Sequence, residues 1–229
     1  MYRLALIAIG LLIAWPAAAQ QEVSSTLHNM SISGPGTVKS LTVDQVCVFC
    51  HAPHNAEPTA PLWNRLSSGE VYIKYDSTTF DGLPGQPEGS SRLCLSCHDG
   101  TIALGAMVNP PGGVVNDMTT TKITGRANIG TDLHDDHPIS FAYNAALTGL
   151  EPELADPASI GLPLEAENVQ CGTCHDPHRA DIVPFLRTTT LNGELCTTCH
   201  VRAGATWTWA AASHAVSTAT PTGADPWAE

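Results

Sequence analysis

The chain has few positive charges and few aromatic side chains. It holds 10 lysine and arginine residues against 22 aspartate and glutamate residues, a formal net charge of −12, and 6% of its 229 residues are aromatic. A chain this acidic is not expected to bind nucleic acid or an anionic membrane surface, because both are negatively charged. Beyond the N-terminal segment no long apolar run occurs, so we expect no membrane span in the mature chain.

Regular hydrophobic periodicity is scarce as well. Glycine and proline number 19 and 17, and long stretches with helical or strand spacing are rare. This composition predicts mostly irregular coil with short α-helices and minor β structure. Because such a chain has little apolar surface of its own to bury, we expect a bound group to supply much of its core.

Cysteine is absent outside a single repeated motif. All eight cysteines fall in four copies of Cys-x-x-Cys-His, at 47–51, 94–98, 171–175 and 196–200. Two thiols at this spacing can bond the two vinyl groups of one porphyrin, and the histidine that follows ligates its iron. The motif therefore predicts four covalently bound c-type haems. The predicted thioether cysteines are Cys47, Cys50, Cys94, Cys97, Cys171, Cys174, Cys196 and Cys199, and the predicted proximal iron ligands are His51, His98, His175 and His200.

Other uses of the cysteines explain less of the pattern. Zinc ribbons use pairs of C-x-x-C motifs, and an exported chain can form disulfides. Neither requires a histidine directly after the second cysteine of every pair. A thioredoxin-like redox pair is expected once, next to a βαβ pattern, and no such pattern is evident. Covalent haem is the interpretation that accounts for all four histidines.

The N-terminal segment is typical of a secretory signal peptide over residues 1–19. Arg3 supplies the positive end, Leu4–Trp15 the apolar stretch, and Ala17–Ala19 a cleavage site of small residues. An uncleaved anchor is the alternative. The signal predicts export, with the protein outside the cell or on the cell surface, or else in the periplasm.

The remaining sequence is predicted to form one domain, 20–214, followed by a tail at 215–229 that is rich in alanine, threonine and proline. The domain contains two haem pairs, at 47–98 and 171–200, separated by an insert at 100–170. In each pair the first motif extends to Pro-His and the second does not. A second pair of similar segments follows the extended motifs: Pro61-Leu-Trp-Asn-Arg65 after the first and Pro184-Phe-Leu-Arg187 after the third.

Histidine is in surplus for ligation of four irons. Of ten histidines, four are proximal and six remain, which favours a second histidine over methionine at each iron. The candidates for distal ligands are His28, His54, His137, His178 and His214. His134 stands among aspartates and is expected to face water. His54 and His178 lie too close to their own proximal ligands to reach round the same porphyrin, so each is expected to ligate an adjacent haem.

Several segments together resemble a known group. Leu27–Met30, Cys47–Asn55, Pro61–Asn64, Leu93–Thr101 and His137–Phe141 resemble the doubled C-x-x-C-H cytochromes and, more closely, the tetrahaem extracellular cytochrome nanowires of metal-reducing bacteria. The resemblance implies a small tetrahaem fold organised around a line of bis-histidine haems, with subunits stacked into filaments. It also implies that His54 completes a haem of the adjacent subunit.

The expected function is conduction of electrons through closely stacked haems, in a homo-oligomeric filament that exchanges electrons with other redox proteins or extracellular acceptors. A monomeric periplasmic electron shuttle is the alternative. A multihaem reductase is less favoured, because two imidazoles on each iron leave no position for a substrate, and we expect no enzyme activity.

Overall fold

The computed structural model describes residues 23–58, 60–113 and 117–201. Most of this chain is coil and turn, with four short α-helices, four single-turn 3-10 helices and one two-stranded sheet. The prediction of irregular coil with short helices and minor β structure is confirmed. The predicted signal peptide, His214 and the tail at 215–229 lie outside the described residues.

The helices and strands are short. The α-helices are α1 (Gly89–His98), α2 (Ala145–Leu150), α3 (Cys171–Cys174) and α4 (Glu194–Cys199). The 3-10 helices are Cys47–Phe49, Pro111–Gly113, Gly125–Ala127 and Leu191–Gly193. Strands β1 (Phe141–Ala142) and β2 (Asn168–Val169) pair antiparallel, with Phe141 opposite Val169. No helix in the described ranges has the length and apolar character needed to cross a membrane.

Each cysteine motif occupies a helical turn. The first begins in the 3-10 helix Cys47–Phe49, the second and fourth close α1 and α4, and the third coincides with α3. A helical turn places residues three apart on the same face, so the two thiols of each motif lie side by side. The turn ends on the histidine: the amide of His175 donates to the carbonyl of Cys171 at 2.9 Å, and that of His51 to Cys47 at 2.8 Å.

The chain after each extended motif folds back on it in the same way. Leu62 and Phe185 adopt positive φ angles of 62° and 61°, and the next residues bridge His51 to Trp63 and His175 to Leu186.

In each case one side chain of the segment that follows the motif donates a hydrogen bond to a backbone carbonyl within the motif. Asn64 Nδ2 donates to the Val48 carbonyl at 2.6 Å, and Arg187 Nε donates to the Gly172 carbonyl at 2.8 Å. Arg187 is therefore the counterpart of Asn64, while Arg65 has no equivalent in the second half.

Three small apolar clusters take the place of one core. The first centres on Phe141 and Val169, the second on Phe49 and Leu104, and the third on Leu95. Motif cysteines border two of them: Cys50 and Cys97 pack against the second cluster, and Cys199 against the first. These three cysteines, predicted to bond haem, thus lie at the edges of the apolar clusters.

Candidate haem-binding site

The four motifs are arranged in a continuous series. The first and second approach each other at Cys50 and Cys97: burial raises the pKa of Cys50 to about 12, and the neighbouring Cys97 adds to the shift. Helices α1 and α3 then bring the second and third motifs together. There the thiols of Cys94 and Cys171 share a hydrogen bond, which raises the pKa of Cys94 and lowers that of Cys171.

The series continues into the last motif. Burial raises the pKa of Cys174 to about 11, and Cys199 of the fourth motif is the next contributor to that shift. All eight cysteines are described and all are free thiols, so the disulfide interpretation is wrong for this structure. Within the described residues no group of three or more His, Cys, Asp or Glu side chains is arranged to hold a metal ion, as a tetrahedral zinc site would require.

Three motif histidines face a second imidazole from elsewhere in the chain. The ring centres are 6.0 Å apart for His51 and His178, 6.2 Å for His98 and His28, and 6.4 Å for His200 and His137. The interplanar angles are 14°, 83° and 78° in that order.

These distances can be compared with what axial ligation needs. Metal–histidine nitrogen bonds of about 2.0 Å, with about 1.1 Å from each nitrogen to its ring centre, place two axial rings about 6.2 Å apart. Each of the three pairs therefore leaves room for one metal ion between two imidazoles, and the donor set fits an iron with two histidine ligands.

Backbone carbonyls orient several of these rings. The Nδ1 atoms of His98, His137 and His175 lie 2.7, 3.0 and 2.9 Å from the carbonyl oxygens of Ala127, Pro138 and Pro184. A carbonyl can only accept, so Nδ1 carries the proton and Nε2 is left to bind a metal.

At two further rings burial has the same consequence. The Nδ1 atoms of His28 and His51 are buried in the protein, so their Nε2 atoms are the ones a metal can reach. The ring of His28 is also held in place by stacking on Phe185, with ring centres 4.3 Å apart.

The third motif opens into an apolar cleft. A cavity of about 200 Å³ contacts Cys171, Cys174 and His175. Its walls are largely apolar and include Pro84, Leu95, Ile129, Leu133, Ile139 and Val169. Apolar walls beside two thiols and an imidazole suit the faces of a porphyrin attached at this motif.

A comparison with protein families supports this chemistry. The model of the doubled CXXCH motif matches residues 163–205, which contain the third and fourth motifs. The match supports a multihaem c-type cytochrome-like protein. A comparison with curated proteins finds no match. The motif indicates covalently bound haem c and a role in electron transport.

Four of these imidazoles have environments that favour the neutral ring. Burial lowers the pKa of His28 to about 4, and the neighbouring His98 contributes further. Burial is also the main cause of the lowered pKa values of His51, His98 and His200. Since only the neutral ring binds metal, these environments favour ligation at neutral pH.

The remaining predicted ligands divide into separate groups. His54 is exposed and no described imidazole faces it. His175 forms no ring pair with a described histidine, although it lies near enough to His28 and His98 to lower the pKa of both, and it lines one cavity together with His137. His134, expected to face water, is exposed, with Nδ1 2.8 Å from a carboxylate oxygen of Asp132. Sequence reasoning did not identify which distal ring faces which motif, because those partners are far apart in the chain.

Proposed function

We propose that this protein binds four haems, each between two histidines, and conducts electrons as a subunit of an extracellular filament. The three facing imidazole pairs carry the proposal, because each joins a motif histidine to a histidine from another part of the chain. Haem iron, when bound, supplies the one-electron couple. Export through a signal peptide at residues 1–19 belongs to the same proposal.

The coordination chemistry favours electron transfer over catalysis. Each pair of imidazoles would hold a haem iron from two sides, which would leave no position open to a substrate. The His51 and His178 pair is a clear case, because the ring separation of 6.0 Å leaves no space for an additional ligand. We infer that the protein is not an enzyme.

The order of the motifs supports conduction along the chain. Neighbouring motifs adjoin at Cys50 and Cys97, at Cys94 and Cys171, and at Cys174 and Cys199. Haems attached at neighbouring motifs would form one continuous row, which is the arrangement that successive electron transfers need.

The symmetry between the two halves supports polymerisation. His178 follows the third motif and faces His51 of the first motif within the same chain. His54 holds the equivalent place after the first motif, is exposed, and has no described facing ring. His175 of the third motif has no described facing ring either. His54 of one subunit is therefore suited to complete the site at His175 of the next.

A monomeric electron shuttle is the second candidate. It explains the lack of a described facing ring at His175 by a ligand from the same chain. If His214 of the same chain faces His175, all four sites are complete without a neighbour. The two candidates can thus be separated by asking which histidine completes the third site.

The experiment compares three alanine variants of the haem-loaded protein: His54→Ala, His214→Ala and, as a control, His134→Ala. We expect His54→Ala to retain its thioether-linked haem, show a new high-spin signal and fail to form filaments by electron microscopy. We expect the other two variants to form filaments. Full-length filaments from His54→Ala would contradict the filament proposal, and a high-spin signal in His214→Ala alone would favour the shuttle.

A further inference from the structure

Arg65 is a fully buried cation beside the first two motifs. Its exposed fraction is 0%. Nη1 donates to the Leu104 carbonyl at 2.6 Å, and Nη2 donates to the carbonyls of Ser96 and Ala103 at 3.2 and 3.0 Å. All three acceptors are neutral backbone groups, and Nε is buried without a partner. None of the ion pairs among the described residues involves Arg65.

The guanidinium lies beside both neighbouring attachment points. Ser96, whose carbonyl accepts from Nη2, is part of the second motif, and the amide of Asn64, the residue before Arg65, donates to the Cys50 carbonyl of the first motif at 2.9 Å. The buried carboxylate of Asp99, directly after the second motif, accepts hydrogen bonds from Tyr72 and Thr101. The positive charge therefore lies close to the first and second haem sites.

Among the described residues from the third motif to position 201, no lysine or arginine is buried in this way. Arg187, its nearest analogue in sequence, is the counterpart of Asn64 and forms an ion pair with Asp176 at 3.1 Å. Its side chain is 28% exposed. The carboxylate neutralises this arginine and solvent screens it, so within the described residues a buried, unpaired cation lies beside the first haem pair alone.

A buried charge interacts more strongly with its surroundings than an exposed one, because the interior screens it less. Reduction of an iron lowers the charge of its site by one, so a fixed cation nearby stabilises the reduced form. We propose that Arg65 raises the reduction potentials of the haems at Cys47–His51 and Cys94–His98 above those of the second pair. This proposal rests on the proposed function, since it requires haem at all four motifs.

The experiment is a potentiometric titration of the haem-loaded protein, followed by absorbance, for Arg65→Met and Arg65→Lys. Arg92→Met is the matched control, because Arg92 is an exposed arginine on the same helix as Cys94 and Cys97. With Arg65→Met we expect about half of the absorbance change to move to lower potential. At a fixed potential the ratio of reduced to oxidised haem in that half should fall about tenfold, which corresponds to about 59 mV.

The controls separate charge from structure. Arg65→Lys keeps the charge and should restore most of the shift, and Arg92→Met should titrate like the wild type. An unchanged curve in Arg65→Met, or an equal shift in Arg65→Lys, would overturn the proposal. If Arg65→Met does not retain its haem, Arg65→Gln against Arg65→Lys makes the same comparison. Wild-type protein with fewer than four haems, or with high-spin haem, would instead count against the proposed function.

Discussion

Replacing His178 with alanine tests the facing imidazole pairs most directly. The ring of His178 lies 6.0 Å from that of His51, and truncation to a methyl group removes the one imidazole that faces this motif histidine among the described residues. The cysteines of the first motif are unchanged, so the haem stays attached. With four motifs in the chain, one haem in four should lose a ligand and become high-spin.

The measurement combines two assays on the purified, haem-loaded variant. The pyridine haemochrome assay should give the same haem content per chain as the wild type, and the absorption and electron paramagnetic resonance spectra should show about one quarter of the iron as high-spin, since one of four sites is affected. Free imidazole should restore the low-spin spectrum, because the side chain it replaces is 53% exposed.

His134→Ala is the control for this variant. His134 is exposed, and its Nδ1 lies 2.8 Å from Asp132, so its loss should leave every iron low-spin. A fully low-spin spectrum in His178→Ala would refute the assignment of this ring as a ligand. Equal high-spin signals in both variants would show that the effect does not depend on the facing geometry.

Two further predictions concern pH and stability. Because burial lowers the pKa of His28 to about 4, the neutral ligating form persists as the pH falls through the ordinary histidine value of about 6.5. The low-spin spectrum of its pair with His98 should hold over that range in an acid titration and give way no higher than about pH 4, because a bound iron competes further with the proton; loss of this ligation close to pH 6.5 would contradict the reasoning. Tyr72→Phe removes the hydroxyl that donates to the buried Asp99 at 2.6 Å, and should lower the free energy of unfolding by about 2 kcal/mol, measured by denaturant titration. A change no larger than that of Tyr75→Phe, a control at a half-buried tyrosine that packs against Phe80, would show that this hydrogen bond contributes little.

Local chemistry was accessible from the sequence alone. The spacing of Cys171, Cys174 and His175 lies within one helical turn, so the residue types and their order already define an attachment site with an iron ligand. The frequency of glycine and proline likewise predicts coil, because both residues interrupt periodic structure wherever they occur. The repetition of the extended motif indicated that the chain has two similar halves.

Long-range relations were decided only by the tertiary structure. His178 could have faced the iron of any neighbouring motif, and its position opposite His51 depends on how the two halves pack. The burial of Arg65 depends on carbonyls that Ser96, Ala103 and Leu104 bring to it from a later part of the chain. Sequence spacing carries no information on such contacts, because coil segments without periodic faces can pack in many ways, and only the folded chain selects one.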